Sequence, residues 1–283
     1  MQNNSLNKKI FIFGASGMLG NYVVKYFELN MGINIIKFTR NNYDITKLSK
    51  ESLEKLLVEH KIDFDTVIIN CAGIIPQANN YILNNNNYYL VNCIFPIMLS
   101  HLSNKYNAKL IHISTDCVFS GKKGNYVESD HCDVSHIYGL SKSFGEIHNS
   151  TIIRTSIIGD ELFNKRSLVE WIKSNNNNTI NGFKNHLWNG VTCLQLAKII
   201  HKIILDNNYW IGVRHVFSDI ITKYDLVNII CNTYNLSINV IEYFTAESYN
   251  RTLNSLYNME GITKNPPLKE QIKDMFLFQQ FLY

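Results

Sequence analysis

Short apolar runs alternate with stretches of helical spacing along the first half of the chain. The runs at Lys9–Phe13, Ile33–Phe38, Thr66–Ile69, Lys109–Ile113 and Thr151–Arg154 are rich in Ile, Val and Phe and too short for helices. They predict strands. With helical segments between them, they predict a doubly wound parallel sheet covered on both faces, an α/β architecture. Ligands of such sheets gather at the carboxyl ends of the strands. Here each run gives way to small or polar residues: Gly14, Thr39-Arg40, Asn70-Cys71-Ala72-Gly73, Ser114-Thr115-Asp116 and Arg154-Thr155-Ser156. These ends should converge on one crevice.

Beyond Arg154 the alternation loosens. Leu194–Leu205 has the spacing of an amphipathic helix returning to the first domain, and the Asn-rich stretches Asn84–Asn87 and Asn175–Asn178 read as exposed turns. The expected division is a sheet domain of residues 1–155 plus 191–219, with a smaller interleaved lobe of residues 156–190 plus 220–283 over the ligand.

Composition narrows the classes. The chain's 283 residues can bury a large core, and its net charge of +4 is carried by dispersed Lys and Arg, which argues against nucleic acid as a partner. No apolar run reaches the roughly 18–20 residues that span a bilayer, and the first residues lack the pattern of a signal peptide. The six cysteines show no Cys-x-x-Cys spacing, so neither a metal site nor a disulfide framework is expected. A cytoplasmic protein is the simplest reading.

Two motifs carry chemistry. Gly14-Ala15-Ser16-Gly17-Met18-Leu19-Gly20 follows the first strand run directly. Gly14 permits a tight turn, Gly17 lets backbone approach a phosphate, and Gly20 allows helix and strand to pack closely. Such a loop binds a dinucleotide diphosphate at the helix N-terminus; three chance glycines in an ordinary turn are the alternative. Arg40 ends the second run, where an Arg suits the 2′-phosphate of NADP and a carboxylate would suit NAD; a solvated surface Arg is the plain alternative. The second motif is Tyr138-Gly-Leu-Ser-Lys142. On one helix, positions i and i+4 share a face, so the ammonium should lower the phenol pKa and make Tyr138 a usable proton donor or acceptor.

Together with Ile-Ser-Thr115-Asp116-Cys117-Val-Phe, Tyr-Gly-Leu-Ser-Lys-Ser-Phe-Gly-Glu and Arg251-Thr-Leu-Asn254-Ser255, these motifs resemble the extended short-chain dehydrogenases/reductases, nearest the dTDP-4-dehydrorhamnose reductase branch. The resemblance is strongest from Lys9 to Arg154. It implies a Rossmann fold, a catalytic trio of Thr115, Tyr138 and Lys142, and a nucleoside-diphosphate 4-keto-6-deoxy sugar as substrate; the cofactor favoured by Arg40 is NADPH. It also implies that Asp44-Ile45 contacts the adenine, that Cys71-Ala72-Gly73 lines the cofactor, and that Asn92 orders Lys142, an ordinary buried Asn being the alternative. A homodimer is the family's default.

One position departs from that branch, which has Tyr where this chain has Cys117. A Thr-x-Cys is similar to bifunctional epimerase-reductases such as GDP-fucose synthase and the plant UDP-rhamnose-forming enzymes, where the Cys is an acid/base. The 4-keto group acidifies the hydrogens on C3 and C5, so a thiolate stabilised by nearby cations could remove one. Cys117 as a small packing residue is the alternative. Inversion needs a second group on the other face, for which Lys184 is preferred over His186. Thr115, Asp116, Cys117, Lys184, Trp188 and Arg251 then form the expected substrate contacts. The expected activity is NADPH-dependent 3,5-epimerisation and 4-reduction giving nucleotide-linked L-rhamnose, with UDP preferred. A plain 4-ketoreductase and a non-catalytic nucleotide-binding subunit are the rivals.

Overall fold

In the computed structural model, which describes residues 8–30, 34–77, 84–163, 165–259, 261–262 and 265–282, the predicted alternation becomes a parallel sheet. Its strands are β1 (Lys9–Phe13), β2 (Asn34–Phe38), β3 (Thr66–Asn70), β4 (Lys109–Thr115), β5 (Thr151–Thr155) and β10 (Gly212–His215). Their order is β10-β5-β4-β3-β1-β2, all neighbours parallel. The fold is Rossmann-like. Ile33, read as the start of the second strand, lies outside the described residues.

Strand periodicity explains why both faces are covered. Ile10 and Ile12 of β1 join Val67, Ile69, Ile111, Ile113 and Ile153 in one core. Phe11 and Phe13 point the other way, with Phe38, Ile68 and Leu110. The first layer packs on α1 (Met18–Asn30) and α7 (Cys193–Leu205). The second packs on α2 (Lys50–Glu59) and α4 (Phe95–Lys105). Sequences buried on both faces must be apolar at successive positions, which is why these strands read as continuous runs.

The smaller lobe is built from short pieces. β6 (Ile157–Ile158) pairs with β9 (Val191–Thr192), and β7 (Thr179–Phe183) with β12 (Asn239–Tyr243). β8 (His186–Trp188) lies between β11 (Ile221–Thr222) and β13 (Tyr249–Asn250). Helices α6 (Leu168–Ser174) and α8 (Lys223–Thr233) complete it.

Two expectations change. The C-terminal helix α9 (Leu268–Phe278), expected wholly in the small lobe, reaches back to the sheet domain: Phe278 stacks near Tyr22 and Tyr26 of α1, at ring distances of 6.0 and 6.3 Å. The apolar face Leu268, Ile272 and Met275 joins the first core layer and drives this placement. Asn84–Asn87, expected as a turn, instead starts a helix, α3 (Asn85–Tyr89). The Asn84 side chain accepts from the Asn87 backbone N–H at 2.7 Å, a cap that Asn supplies well. Among the described residues no helix is long and apolar enough to cross a membrane.

Candidate active site

Three adjacent strands, β4, β3 and β1, deliver their carboxyl ends side by side. After β1 the chain turns at Gly14, whose φ is +73° and where a Cβ would lie 2.7 Å from the Ala72 backbone N. No side chain fits there. A Cβ on Gly20 would lie 2.1 Å from the Gly14 carbonyl oxygen, so helix α1 can press against the turn only with glycine at this position. Met18 and Leu19 begin α1, Leu19 buried; Ser16 and Gly17 just before them are exposed. The first turn of α1 contains no acidic residue, which leaves the positive end of the helix unneutralised. Exposed backbone N–H groups at such an end suit a diphosphate.

Around this loop stand the other expected cofactor residues. Arg40 is exposed just past β2. Asp44 is committed locally, accepting from the Thr46 backbone at 3.0 Å and the Thr46 hydroxyl at 2.8 Å, so it shapes the loop while Ile45 packs inward. Cys71 receives the β3 exit, its backbone N–H donating to the Phe13 carbonyl at 3.0 Å. Burial pushes its thiol up to about 12, which makes Cys71 a packing residue at neutral pH. Ala72 donates its N–H to the Asn70 side chain at 3.1 Å, and Gly73 passes close to Asn92.

Asn92 sits in a π-helical turn, Leu90–Ile94, and is wholly buried. Its amide accepts from the Ile74 backbone N–H at 2.9 Å and donates to the Ile74 carbonyl at 3.0 Å and the Ser141 hydroxyl at 3.1 Å. It therefore clamps the β3 exit loop to the helix that carries Lys142, rather than touching Lys142 itself.

That helix is α5 (Ile137–Phe144), capped by His136, which accepts from the Gly139 N–H at 3.0 Å. A Cβ on Gly139 would lie 2.3 Å from the Cys117 carbonyl oxygen, so the glycine after Tyr138 lets α5 pack directly on the turn after β4. Thr115, the last residue of β4, caps that turn by accepting from the Cys117 N–H at 3.1 Å, and its hydroxyl donates to Asp116 at 3.2 Å. The Tyr138 phenol lies beside Thr115, Cys117 and Asp116, close enough for each of them to shift its pKa. Thr115, Asp116, Cys117 and Tyr138 thus form one cluster.

The electrostatics differ from expectation in two places. Lys142 does not lower the Tyr138 pKa. Its ammonium is nearly buried and donates to the Ile113 carbonyl at 2.7 Å. The phenol is pushed up, by burial first, with neighbouring Cys117 and Asp116 adding and Thr115 opposing. Burial also lowers Lys142 to about 8, against the pull of Glu146 and Cys71. Nor is Cys117 an activated thiolate: burial, reinforced by the Asp116 charge, pushes it up to about 12 despite Arg251. The Asp116 carboxyl, 6% exposed, is raised by burial and held down by Arg251 and Lys223.

From the small lobe, Arg251 reaches the cluster, its Nε donating to the Phe119 carbonyl at 2.9 Å. Trp188 is buried, with its indole N–H donating to Ser156 at 2.8 Å. Lys184 is not brought to the cluster. It directly follows β7, its ammonium 3.3 Å from Glu242 of β12 and over the Tyr224 ring at 4.7 Å. His186 donates or accepts at Thr245 Oγ1, 2.7 Å away, and packs beside Phe183 at a ring distance of 4.7 Å. The sequence reading missed Lys223, the first residue of α8, whose ammonium interacts with Asp116 and Cys117. The signal that could have found it is a cation directly after the Thr222 cap, where the helix dipole disfavours positive charge.

A fold with a glycine turn into a helix at β1, and a Thr–Tyr cluster beside a buried lysine at β4, defines a Rossmann-like α/β protein with a polar crevice at the strand ends. The chain belongs to the family described as RmlD substrate binding domain, whose profile matches residues 8–258. It is 31% identical over 157 residues to the spore coat polysaccharide biosynthesis protein SpsK of Bacillus subtilis, covering 52% of each chain. It is likewise 31% identical over 153 residues to the dTDP-4-dehydrorhamnose reductase of Aggregatibacter actinomycetemcomitans, covering 53% of this chain and 49% of that protein. The chain thus spans about half the length of the curated relatives it matches. The fold is similar over nearly its whole length to a dTDP-4-dehydrorhamnose reductase from Bacillus anthracis solved in complex with NADP, with a TM-score of 0.80, 23% identity and coverage of 96% of this chain and 99% of that one.

Proposed function

We propose that this protein is an NADPH-dependent reductase acting on the 4-keto group of a nucleoside-diphosphate 4-keto-6-deoxyhexose. The observation that carries the reading is the meeting of Thr115, Asp116, Cys117 and Tyr138 at the β4 exit, two strands from the glycine turn. The family membership, and relatives named as dTDP-4-dehydrorhamnose reductases, support the substrate class.

The residues present fit the cofactor. The turn from Gly14 to Gly20 and the open end of α1 suit its diphosphate, Arg40 its 2′-phosphate, and the strand ends at Cys71–Gly73 its inner edge. When bound, the nicotinamide supplies hydride to a ketone carbon. The chain's own residues handle the oxygen. A phenol with a raised pKa stays protonated at neutral pH, so Tyr138 gives its proton to the developing alkoxide, and Thr115 orients that phenol. Lys142 uses one N–H on the Ile113 carbonyl and keeps two donors for the cofactor ribose. Asp116 accepts from a sugar hydroxyl and Arg251 donates to the diphosphate.

A second reading adds inversion at C3 and C5 before reduction, with UDP as the nucleotide. It is favoured by the position of Cys117 in the same cluster as Tyr138. Each inversion takes a proton from carbon on one face and returns one on the other. Burial pushes the free Cys117 thiol up to about 12, so this reading requires bound substrate to lower that thiol before Cys117 can act as the base. Lys184, paired with Glu242, has no place in it.

The test is NADPH consumption with dTDP- and UDP-4-keto-6-deoxy-glucose, alone and with the 3,5-epimerised sugar. Oxidation of NADPH only with the epimerised sugar leaves the plain reductase; oxidation with neither removes the reading.

A further inference from the structure

We propose that Lys223 is a sugar-binding residue of the small lobe, its ammonium donating to a ring hydroxyl of the hexose held opposite the Asp116 carboxylate. This rests on the nucleotide-sugar reading above and names the contact that would recognise the sugar.

Three observations converge on it. The ammonium of Lys223 lies over the Trp188 ring, 5.0 Å from its centroid, and among the described residues no hydrogen bond or ion pair occupies its Nζ. Trp188 is a fixed platform, held by its indole bond to Ser156 at 2.8 Å and by the pairing of its strand with Ile221, two residues before Lys223. Asp116 and Cys117 also act electrostatically on the Lys223 charge, and no ion pair joins them to it among the described residues. A lysine with three donors and a buried carboxylate that does not touch it leave room for a group that both accepts and donates, which a sugar hydroxyl does.

The position is costly without such a role. A cation in the first turn of α8 opposes the helix dipole. A buried carboxylate with one hydroxyl partner, Thr115 at 3.2 Å, also calls for cations nearby. Arg251 answers part of that need, but its Nε is spent on the Phe119 carbonyl. Arg251 and His186 are the other basic groups around Lys223. His186 is bonded to Thr245 at 2.7 Å, so Lys223 is the cation there with its donors uncommitted among the described residues.

The experiment compares wild type, Lys223→Met and Lys223→Arg, each saturated with NADPH. Calorimetry measures affinity for dTDP-glucose and UDP-glucose, which carry no ketone. Steady-state kinetics measures KM and kcat for the corresponding 4-keto-6-deoxy sugars, and fluorescence measures NADPH affinity. The account predicts that Lys223→Met weakens sugar-nucleotide binding about tenfold or more, a loss typical of a charged hydrogen bond. KM should rise by a similar factor, with kcat changed less and NADPH affinity kept; Lys223→Arg should recover most of the loss. Unchanged sugar affinity in Lys223→Met overturns the inference, as does a parallel loss of NADPH affinity, which would mark a structural role. If wild type binds the glucose nucleotides but reduces neither keto sugar, the reductase reading falls while the binding arm still judges Lys223. Binding of neither sugar nucleotide by wild type overturns both.

Discussion

Lys142 and Tyr138 stand one turn apart on α5 yet face different surroundings: the ammonium donates to the Ile113 carbonyl at 2.7 Å, while the phenol lies with Thr115, Cys117 and Asp116 at the β4 exit. The helix spacing that suggested a Lys–Tyr couple is real. The charge effect expected from it is replaced by burial, which keeps the phenol neutral, with the Asp116 charge adding to it. Tyr138 is therefore a proton donor in this account. Tyr138→Phe should lower kcat by about 10²–10⁴-fold, the usual worth of a positioned acid. Its NADPH dissociation constant, followed by fluorescence, should stay within a few-fold of wild type.

Activity should fall at alkaline pH. With a pKa of about 8 in the folded protein, Lys142 loses its charge through that value, and kcat/KM should fall with it. Stability moves the other way. A lysine lowered from 10.5 to about 8 means that the unfolded chain binds more protons between those values, so the Lys142 contribution to stability rises with pH across that window. Lys142→Arg should push the alkaline limb beyond the measurable range. A limb that stays near pH 8 in that variant would assign it elsewhere.

Behind the cluster lies a buried ion pair. Arg154 donates to Glu146 from Nε at 3.0 Å and from Nη2 at 2.5 Å, with both side chains at most 6% exposed. Ser114 adds a bond to Glu146 at 2.5 Å, and the other Arg154 Nη lies 2.9 Å from the His215 ring. Removing one partner strands the other charge. Arg154→Met should cost about 3–5 kcal/mol in urea unfolding, and the double variant with Glu146→Leu should cost less than Arg154→Met alone. Because Glu146 holds Lys142 up, Glu146→Gln should also move the alkaline limb to lower pH.

The glycine turn is tested by Gly20→Ala. The new Cβ would meet the Gly14 carbonyl oxygen at 2.1 Å, and backbone cannot yield there without moving α1 off the turn. A loss of about 1–3 kcal/mol in stability, typical of overpacking, should accompany a much larger loss of NADPH affinity. A variant that binds NADPH normally would mean that the loop is not the diphosphate site.

What the sequence reveals here depends on how local the cause is. The five strands and α7 were legible because burial on both faces, or along one stripe, writes itself into consecutive residues such as Ile10-Phe11-Ile12-Phe13. Thr115 and Tyr138 were legible as motifs, and the packing of Gly139 on Cys117 explains why they meet. Lys184 misled because its neighbours in sequence say nothing of Glu242, which β12 brings alongside. Lys223 was hidden for the same reason, since its approach to Asp116 depends on how the small lobe folds over the sheet. The Cys117 pKa could not be read either: burial, a tertiary quantity, outweighs the nearby Arg251.

The central claim is hydride transfer to C4 of a nucleotide-linked keto sugar, with Tyr138 as the acid. The most direct measurement uses NADPH deuterated at the transferable position with dTDP- and UDP-4-keto-6-deoxyhexoses, the product read by NMR, for wild type and Tyr138→Phe. Deuterium at C4 of the product with wild type, and its loss or severe slowing in Tyr138→Phe, is the result predicted. NADPH bound tightly but no deuterium at C4 with any of these sugars, or equal transfer in Tyr138→Phe, would contradict it.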